Sequence, residues 1–465
     1  MEAVQDLISN QLAQDPRLQQ AKQLILEAIA DHQKKLDTVR PPQSELLIKL
    51  QQRLDHFGEL RGNQLYFPYL GSGLGNGPFV ELEDGSVKLD FITGIGVHGY
   101  GHSHPLIIEA GIKAALSDTV MQGNLQQNGE SYEFSRLLID VARQHGSDLA
   151  HCILSTSGAM ANENSLKIAF QKHHPANRVI AFSHCFAGRS LALCHLTDKP
   201  GYRDGMPDTI PVDFIPFFKA DDPEKSTRVA VEHLKYVIKR HPGKHAAFWI
   251  EVIQGEGGSY PGSTDFFKAL IEVAKENNIA VIADEVQTFC RTSQPFAFQH
   301  FELDKLVDIV TIGKISQVCA TLFTPAYNPR PGLISQTFTG SSFAIIAGHA
   351  ILSDLIARGN FGAGGRNEQI HARFVAGLEA IAQRHPGSIH GPFGLGGMIG
   401  FTPFDGSESA ARGLVWDLYH AGLLCFMAGG GPARVRFLVP LGCTEDHHID
   451  SACQILEQVI ANREP

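Results

Sequence analysis

Two short apolar runs in the middle of the chain constrain its fold more than any other feature. Residues 279–283 (IAVIA) lead into Asp284 and Glu285, and residues 308–313 (DIVTIG) lead into Lys314. Runs of this length that are rich in Val and Ile are typical of strands buried on both faces of a parallel sheet. Because functional groups collect at the carboxyl ends of such strands, we expect a carboxylate and an amine at neighbouring strand ends.

Strand and helix patterns alternate from about residue 131 onward, which is typical of an α/β fold with a largely parallel sheet wrapped by helices. The predicted strands also include residues 152–154, 178–182 and 246–251, and the predicted helices include 158–170, 264–277, 343–358 and 367–384. We therefore predict four parts: a helical N-terminal arm (1–62), a β segment joining the small domain (63–95), a large α/β domain (96–340) and a small α+β C-terminal domain (341–465).

Composition and sequence patterns argue against several classes of partner and of cellular location. Of the 465 residues, 49 are acidic and 39 basic, and no run is rich in Lys or Arg, which disfavours nucleic-acid and anionic-membrane partners. The start resembles no signal peptide, and no apolar run approaches the roughly 18 residues of a membrane helix. The eight cysteines form no CxxC motif and indicate reduced thiols, so we expect a cytoplasmic protein.

Two glycine-rich stretches, residues 71–77 and the segment that contains three histidines, have features of ligand sites, but we predict no ligand at either. Residues 71–77 (GSGLGNG) lack the buried strand and following helix of a nucleotide loop, so we predict turns there and give a dinucleotide enzyme little weight. Just beyond them, residues 80–90 alternate around Asp84 and Gly85 as a hairpin. His98, His102 and His104 lie close in sequence but have no acidic or Cys partner at ligand spacing, so we predict a loop and no metal.

The pair Asp284 and Lys314 suits pyridoxal phosphate (PLP) chemistry, in which a Lys forms a Schiff base and an acid keeps the pyridine nitrogen protonated. Gly158 and Ala159 begin a helix whose free amides favour an anion such as a phosphate. Phe186 has the shape to stack on a flat ring, although a core Phe is the plainer interpretation.

The candidates for substrate binding are Arg189, Glu256 and Arg436. Arg189 is either a carboxylate ligand or an ordinary surface Arg. Glu251 and Glu256 follow an apolar strand, and Glu256 either is solvated on its loop or pairs with a site Arg. Arg436 lies between Val435 and Phe437 on a short strand, so it faces away from them and either binds a carboxylate or is a surface charge on an edge strand.

In order and spacing these motifs resemble the class III (ornithine/4-aminobutyrate type) aminotransferases, from about Leu70 to the C-terminus. The motifs that carry the resemblance are QGEGG at 254–258, DEVQT at 284–288, Gly-Lys at 313–314 and VRFLVPL at 435–441. The resemblance implies a fold-type-I PLP-dependent transferase that moves an amino group from an ω-amino acid or amine to 2-oxoglutarate or a similar keto acid.

Residue roles follow from the resemblance alone. Lys314 would carry PLP and shuttle the proton, Asp284 would pair with the pyridinium nitrogen, and Gln287 would hold the ring hydroxyl oxygen. Three groups would complete the site: cofactor-binding Gly158, Ala159, Phe186, Glu251 and Val286, substrate-binding Arg189, Glu256 and Arg436, and Thr337, which would reach the phosphate of the neighbouring subunit in a homodimer.

The chain departs from the family pattern at Ala187, Val252 and residues 340–342, and most of all at 315–319 (ISQVC). The QVC of that segment is similar to the lysine 6-aminotransferases. Because an aminomutase, racemase or lyase would share Lys314, Asp284 and Gln287, those PLP reactions stay open, as does a non-catalytic homologue.

Overall fold

The computed structural model of the chain describes residues 7–121 and 123–463. It begins with three helices, α1 (Ile8–Ala13), α2 (Pro16–Gln33) and α3 (Ser44–Arg61). Asp15 caps α2 by accepting a hydrogen bond from a backbone N–H, with Pro16 in the first turn, and α3 ends where Gly62 turns left-handed at φ 77°. The helical character predicted for the arm is confirmed over residues 8–61, and residues 1–6 of the predicted arm lie outside the described residues.

A three-stranded antiparallel meander follows, built from β1 (Gly71–Asn76), β2 (Phe79–Leu82) and β3 (Val87–Asp90). The prediction of β2 and β3 around Asp84 and Gly85 is confirmed. The prediction of turns at residues 71–77 is wrong, because β1 pairs antiparallel with β2. Gly75 in this strand permits a close approach, because a Cβ there would lie 2.5 Å from the carbonyl oxygen of Phe79.

The next part of the chain alternates strands with helices, as predicted. Its elements are α4 (Thr93–Gly96), α5 (Pro105–Ala115), β4 (Val120–Met121), α6 (Gly129–Ala142), β5 (His151–Ser155), α7 (Gly158–Lys172), β6 (Arg178–Phe182), α8 (Leu193–Leu196), β7 (Val212–Ile215), α9 (Pro223–Arg240), β8 (His245–Ile250), β9 (Ile253–Gln254), α10 (Gly255–Gly258), β10 (Tyr260–Pro261), α11 (Thr264–Glu276), β11 (Ala280–Glu285), α12 (Ala297–His300), β12 (Ile309–Ile312) and β13 (Cys319–Phe323), with 3₁₀ turns at Pro200–Tyr202, Lys314–Ser316 and Pro325–Tyr327.

Seven of these strands form one sheet in the order β5-β13-β12-β11-β8-β6-β7. All neighbours are parallel except β13, which runs antiparallel to both β5 and β12. Successive residues of β11 enter opposite cores, Val281 on one face and Ile282 on the other. The two apolar runs are therefore central strands buried on both faces, and their carboxyl ends are adjacent because β11 pairs directly with β12.

The remaining elements are β14 (Gly340–Ser341), α13 (Ser342–Ala357), α14 (Arg366–Arg384), β15 (Ile389–Leu395), β16 (Met398–Pro403), α15 (Glu408–Ala421), β17 (Leu423–Leu424), β18 (Phe426–Ala428), β19 (Arg434–Leu438) and α16 (Asp446–Ala461). They build an antiparallel sheet, β15-β16-β19-β18, and β17 joins β3 in parallel. The exact division into four parts stays a prediction. Within residues 7–121 and 123–463, no helix is long and apolar enough to cross a membrane.

Candidate active site

The carboxyl ends of β11 and β12 open into a cavity of about 370 Å³. Eight of the residues singled out in the sequence line it: Gly158, Ala159, Phe186, Glu251, Asp284, Val286, Gln287 and Lys314. They come from segments that are far apart in the chain: the start of α7, the end of β11 and the loops after β6, β8, β11 and β12. A parallel sheet explains the convergence, since it places all these ends at one edge.

Asp284 is fixed in place by two hydrogen bonds. Its Oδ1 accepts from Val286 N at 2.8 Å, and its Oδ2 accepts from Asn162 Nδ2 at 2.7 Å. Burial raises the pKa of this carboxyl, and the hydrogen bonds and the charge of Lys314 offset only part of the rise. Asp284 makes no ion pair with any residue that the structure describes, so the site would gain from a cation brought in by a ligand.

Asn162, on α7, is a site residue that the sequence reasoning missed. Besides Asp284, its Nδ2 donates to Ala187 O at 2.8 Å, and its Oδ1 accepts from Thr311 Oγ1 at 2.7 Å. The side chain is 2% exposed and thus ties the Asp284 carboxylate to the strand beside it and to the loop after β6. The one available signal was its position four residues after Gly158, on the same face of the helix.

Lys314 lies two residues after Ile312, the last residue of β12, and has a left-handed backbone, with φ 55°. Its Nζ makes no hydrogen bond or ion pair to any residue in the described part of the chain. Burial lowers the pKa of this amine, and the positive charge of Arg436 adds to the effect, while Glu256, Asp284 and Glu251 act against it. A lysine with a lowered pKa spends more time as the neutral amine, the form that reacts as a nucleophile or base.

The walls of the cavity combine packing with backbone donors. Ser157 caps α7, and its Oγ accepts from Met160 N at 3.1 Å, which leaves the amides of Gly158 and Ala159 without an intrahelical partner. Only glycine fits at 158, since a Cβ there would lie 2.7 Å from Val286 Cγ1.

Glu251 is buried behind the Phe186 segment. Its Oε2 accepts from Phe186 N at 2.9 Å. Burial and the neighbouring Asp284 raise the pKa of Glu251 to about 8, so near neutral pH this side chain is largely protonated and can donate a hydrogen bond.

Arg436 and Glu256 form an ion pair beside the cavity. Arg436 Nη2 donates to Glu256 Oε1 at 2.6 Å, and Arg436 Nη1 lies 3.4 Å from Gln287 Oε1, on the cavity wall. Burial alone would raise the pKa of Glu256, but Arg436 and Lys314 outweigh it and hold the pKa below its usual range. The alternative of a surface charge on an edge strand is wrong for Arg436, which is 1% exposed on a strand with neighbours on both sides.

Arg189 and Thr337 lie outside this cavity. Arg189 is exposed, and its guanidinium carbon stacks 4.0 Å from the ring centroid of Tyr202. Tyr202 lines a second cavity, of about 360 Å³, together with Lys199 and Glu256. Thr337 is exposed in the loop before β14.

The unusual segment at residues 315–319 contributes two residues to the cavity wall, Gln317 and Cys319. Gln317 has a left-handed φ of 62°, and its Nε2 donates to Val97 O at 2.9 Å. Ile315 packs where a Cβ on Gly99 would lie, 2.3 Å from its Cγ1. The departure from the family pattern therefore shapes the site itself.

The histidines at 98, 102 and 104 lie outside the lining of this cavity. His102 Nε2 lies 3.0 Å from Asp90 Oδ2, and His104 Nδ1 accepts from Leu106 N at the start of α5. Among the described residues, no group of three or more His, Cys, Asp or Glu side chains is arranged to hold a metal ion.

The size of the cavity and the chemistry of its lining fit PLP. The volume lies within the roughly 300–1,000 Å³ of small-molecule sites. A buried carboxylate without a cation suits a protonated ring nitrogen, and an unpaired lysine amine suits an aldehyde. Two free amides at a helix start suit a phosphate, and Val286 and Phe186 offer apolar surface for a flat ring.

Comparisons with known proteins agree. The sequence profile of the aminotransferase class-III family matches residues 72–460. An acetylornithine aminotransferase of Methanocaldococcus jannaschii is 30% identical over 406 residues, which are 83% of this chain and 92% of that protein. The LysW-aminoadipate semialdehyde transaminase of Deinococcus radiodurans is 29% identical, over 84% of this chain and 86% of that protein.

Solved structures match in fold. A lysine aminotransferase of M. tuberculosis has a TM-score of 0.78 and 24% identity, over 88% of this chain and 99% of that one. The predicted α/β fold of type I is thereby confirmed. With the profile match and the curated relatives, these findings establish that the chain belongs to the class-III aminotransferases and is a PLP-dependent enzyme that catalyses amino transfer.

Proposed function

We propose that the donor is an ω-amino acid or amine and that the acceptor is 2-oxoglutarate or a similar keto acid. The observation that carries this proposal is the ion pair between Glu256 and Arg436 beside the cavity. An ω-amino donor has no carboxylate next to its reacting carbon, so the pair stays closed. A keto acid such as 2-oxoglutarate brings an α-carboxylate, which replaces Glu256 on Arg436. One buried cation then serves both substrates without being left unpaired.

The same residues are proposed to hold the cofactor. Asp284 pairs with the ring nitrogen, Gln287 binds the ring hydroxyl oxygen, and Gly158 and Ala159 bind the phosphate. Val286 and Phe186 cover the ring, and Glu251 supports the Phe186 segment from behind. Bound PLP supplies an electron sink that stabilises negative charge on the donor carbon.

Lys314 is proposed to hold the cofactor and to act as the base. Burial lowers the pKa of Lys314 to about 8, so a larger fraction of Nζ is the neutral amine near pH 7 than in a solvated lysine. After the donor amine displaces it from the cofactor, Nζ would take the proton from the donor carbon and pass it to the cofactor carbon to which Lys314 had been bound, which is general acid–base catalysis by one positioned group. Asp284 does not exchange protons with Lys314, since the two groups bind different parts of the cofactor.

The relatives support an ω-amino donor by their names, which include acetylornithine aminotransferase and LysW-aminoadipate semialdehyde transaminase. We further propose that Arg189 receives the distal carboxylate of a substrate. Its guanidinium makes no ion pair with a described residue and lies on Tyr202, at the second cavity that Glu256 also lines. A cytoplasmic location stays a prediction.

We also infer a homodimer in which Thr337 contributes to the phosphate site of the partner. In the single chain Thr337 is exposed and lies outside the PLP cavity, which leaves it available to a second copy. Large apolar side chains near the same loop are exposed as well, among them Leu125, Tyr132 and Phe338. Apolar surface of this kind is typical of a protein interface.

A donor screen tests the proposed function. Purified holoenzyme is mixed with ω-amino acids, diamines and α-amino acids, with 2-oxoglutarate as acceptor, and glutamate is measured. We expect glutamate from ω-amino donors in an amount equal to the donor consumed, and none with Lys314→Ala. Reaction of α-amino acids alone would contradict the ω-amino proposal and the role of Glu256. Product formed without consumption of 2-oxoglutarate would indicate an aminomutase, racemase or lyase instead.

A further inference from the structure

Glu256 lies at the tip of a short loop between β9 and β10. These strands pair antiparallel over two residues each, and the turn α10 with the left-handed Ser259 (φ 58°) connects them. A ladder this short gives the loop little stiffness of its own. The position of the Glu256 carboxylate therefore depends on what holds the tip of the loop.

The C-terminal sheet holds that tip by three hydrogen bonds. Arg436 Nη2 reaches the Glu256 carboxylate, Gly429 N donates to Glu256 O at 2.9 Å, and Arg434 Nη1 donates to Gly258 O. Only the first involves a side chain of the loop. The other two fix its backbone, one at Glu256 and one two residues later.

Arg434 is a buried cation with no anionic partner among the described residues. It is 2% exposed, and its guanidinium carbon lies 3.7 Å from the ring centroid of Tyr260 and 3.4 Å from that of Phe393. The two rings partly replace the lost hydration of the cation. Burial nevertheless lowers the pKa of Arg434 to about 10, which reflects how poorly the charge is compensated.

The two arginines act from the same face of one strand. Arg434 and Arg436 are two residues apart on β19, while Val435 between them belongs to the core on the other face. One rigid strand thus holds both the backbone and the carboxylate of the Glu256 loop. Because the backbone is held independently, the carboxylate can leave Arg436 without moving the rest of the loop.

We propose that Arg434 is a positioning residue for the Glu256 switch: it fixes the loop backbone so that Glu256 leaves and regains Arg436 by side-chain rotation alone. The inference rests on the proposed function, in which a substrate carboxylate displaces Glu256. Without Arg434 the loop loses one of its anchors and Glu256 pairs less well with Arg436. Arg436 then becomes more available to carboxylate ligands, at the expense of selectivity for ω-amino donors.

The test measures binding of glutarate, a dicarboxylate without a keto group, to the holoenzyme by calorimetry. In Arg434→Met we expect glutarate to bind about tenfold more tightly than in the unaltered protein, the factor for losing one hydrogen bond to a charged group. Arg434→Lys keeps a charged donor and should stay within about threefold of the unaltered protein, by the same reasoning. Phe393→Leu removes one side of the sandwich and should give an intermediate shift, which keeps the proposal testable where Arg434→Met does not fold.

A double-mutant cycle separates positioning from a general structural role. Glu256→Ala should itself tighten glutarate binding, and Arg434→Met should add nothing in that background, because its effect passes through Glu256. An equal effect of Arg434→Met with and without Glu256, or no effect in either, would overturn the inference. If Glu256→Ala leaves the affinity for glutarate unchanged, both the Glu256 switch and the role of Arg434 are overturned. If the variants show the expected glutarate affinities but the unaltered protein does not transfer amino groups, only the proposed reaction is contradicted.

Discussion

Replacing Asn162 by Ala should destabilise the protein and weaken its hold on PLP. The change removes three buried hydrogen bonds: one to the Asp284 carboxylate at 2.7 Å, one to Ala187 O at 2.8 Å and one from Thr311 Oγ1 at 2.7 Å. Asp284 then loses one of the two hydrogen bonds that keep it ionised, so its pKa rises and it pairs less well with the ring nitrogen.

The size of the destabilisation can be worked out from the three hydrogen-bond partners of Asn162. Hydrogen bonds between neutral groups contribute about 1 kcal/mol each, and one to a carboxylate contributes about 2 kcal/mol. Ala is the better helix former by roughly 0.5 kcal/mol, which offsets a little of the loss. We therefore expect the free energy of unfolding of Asn162→Ala to fall by about 3–4 kcal/mol.

Asn164 supplies a matched control two residues further along α7. It is 1% exposed, and neither its Oδ1 nor its Nδ2 has a hydrogen-bond partner among the residues that the structure describes. Urea unfolding at one protein concentration should show Asn164→Ala to be about 3 kcal/mol more stable than Asn162→Ala. The rate at which PLP dissociates on dilution, measured from the visible absorbance, should increase in Asn162→Ala and not in Asn164→Ala. Equal stability and equal release for the two variants would refute the role given to Asn162.

Three further predictions concern the walls and the interface. Burial raises the pKa of Glu251 to about 8, so near neutral pH the folded protein holds a proton on this side chain that the unfolded chain has lost. The free energy of unfolding should therefore fall as the pH rises from about 5 to 8, and Glu251→Gln should remove roughly 2–4 kcal/mol of that fall in urea titrations. Gly158→Ala should raise the Kd for PLP by about 5- to 150-fold, because overpacking costs about 1–3 kcal/mol, whereas Gly129→Ala, at the first position of α6 with no described atom within 4 Å of an added Cβ, should leave it unchanged. Mixed dimers of Lys314→Ala and Thr337→Ala should recover one complete site and up to half the activity; no recovery would place Thr337 in the site of its own chain.

The periodic elements of the fold follow from the sequence. Residues 279–283 and 308–313 are central strands because their side chains are apolar on both faces, and direct pairing of β11 with β12 brings Asp284 and Lys314 to one edge. The turn prediction for residues 71–77 failed because glycine has two uses. In β1 it allows close packing against His102 and Phe79, which sequence alone does not distinguish from a turn.

The supporting residues of the site could not be predicted. Asn162 lies inside a helix, where nothing in the local pattern shows that its side chain reaches a strand of the sheet. Arg434 is a polar residue in a short strand, and its two ring partners come from residues 260 and 393. Such contacts depend on how separate elements pack together, which the spacing of residues along one element does not reveal.

Amino transfer from an ω-amino donor to 2-oxoglutarate can be followed through the visible absorbance of the holoenzyme during two successive additions. An ω-amino donor without 2-oxoglutarate should abolish the cofactor band at a rate that saturates with donor, and 2-oxoglutarate should restore it with formation of one glutamate per site. Lys314→Ala should show neither change. A band that ω-amino donors leave intact, or one that 2-oxoglutarate does not restore, would contradict the account.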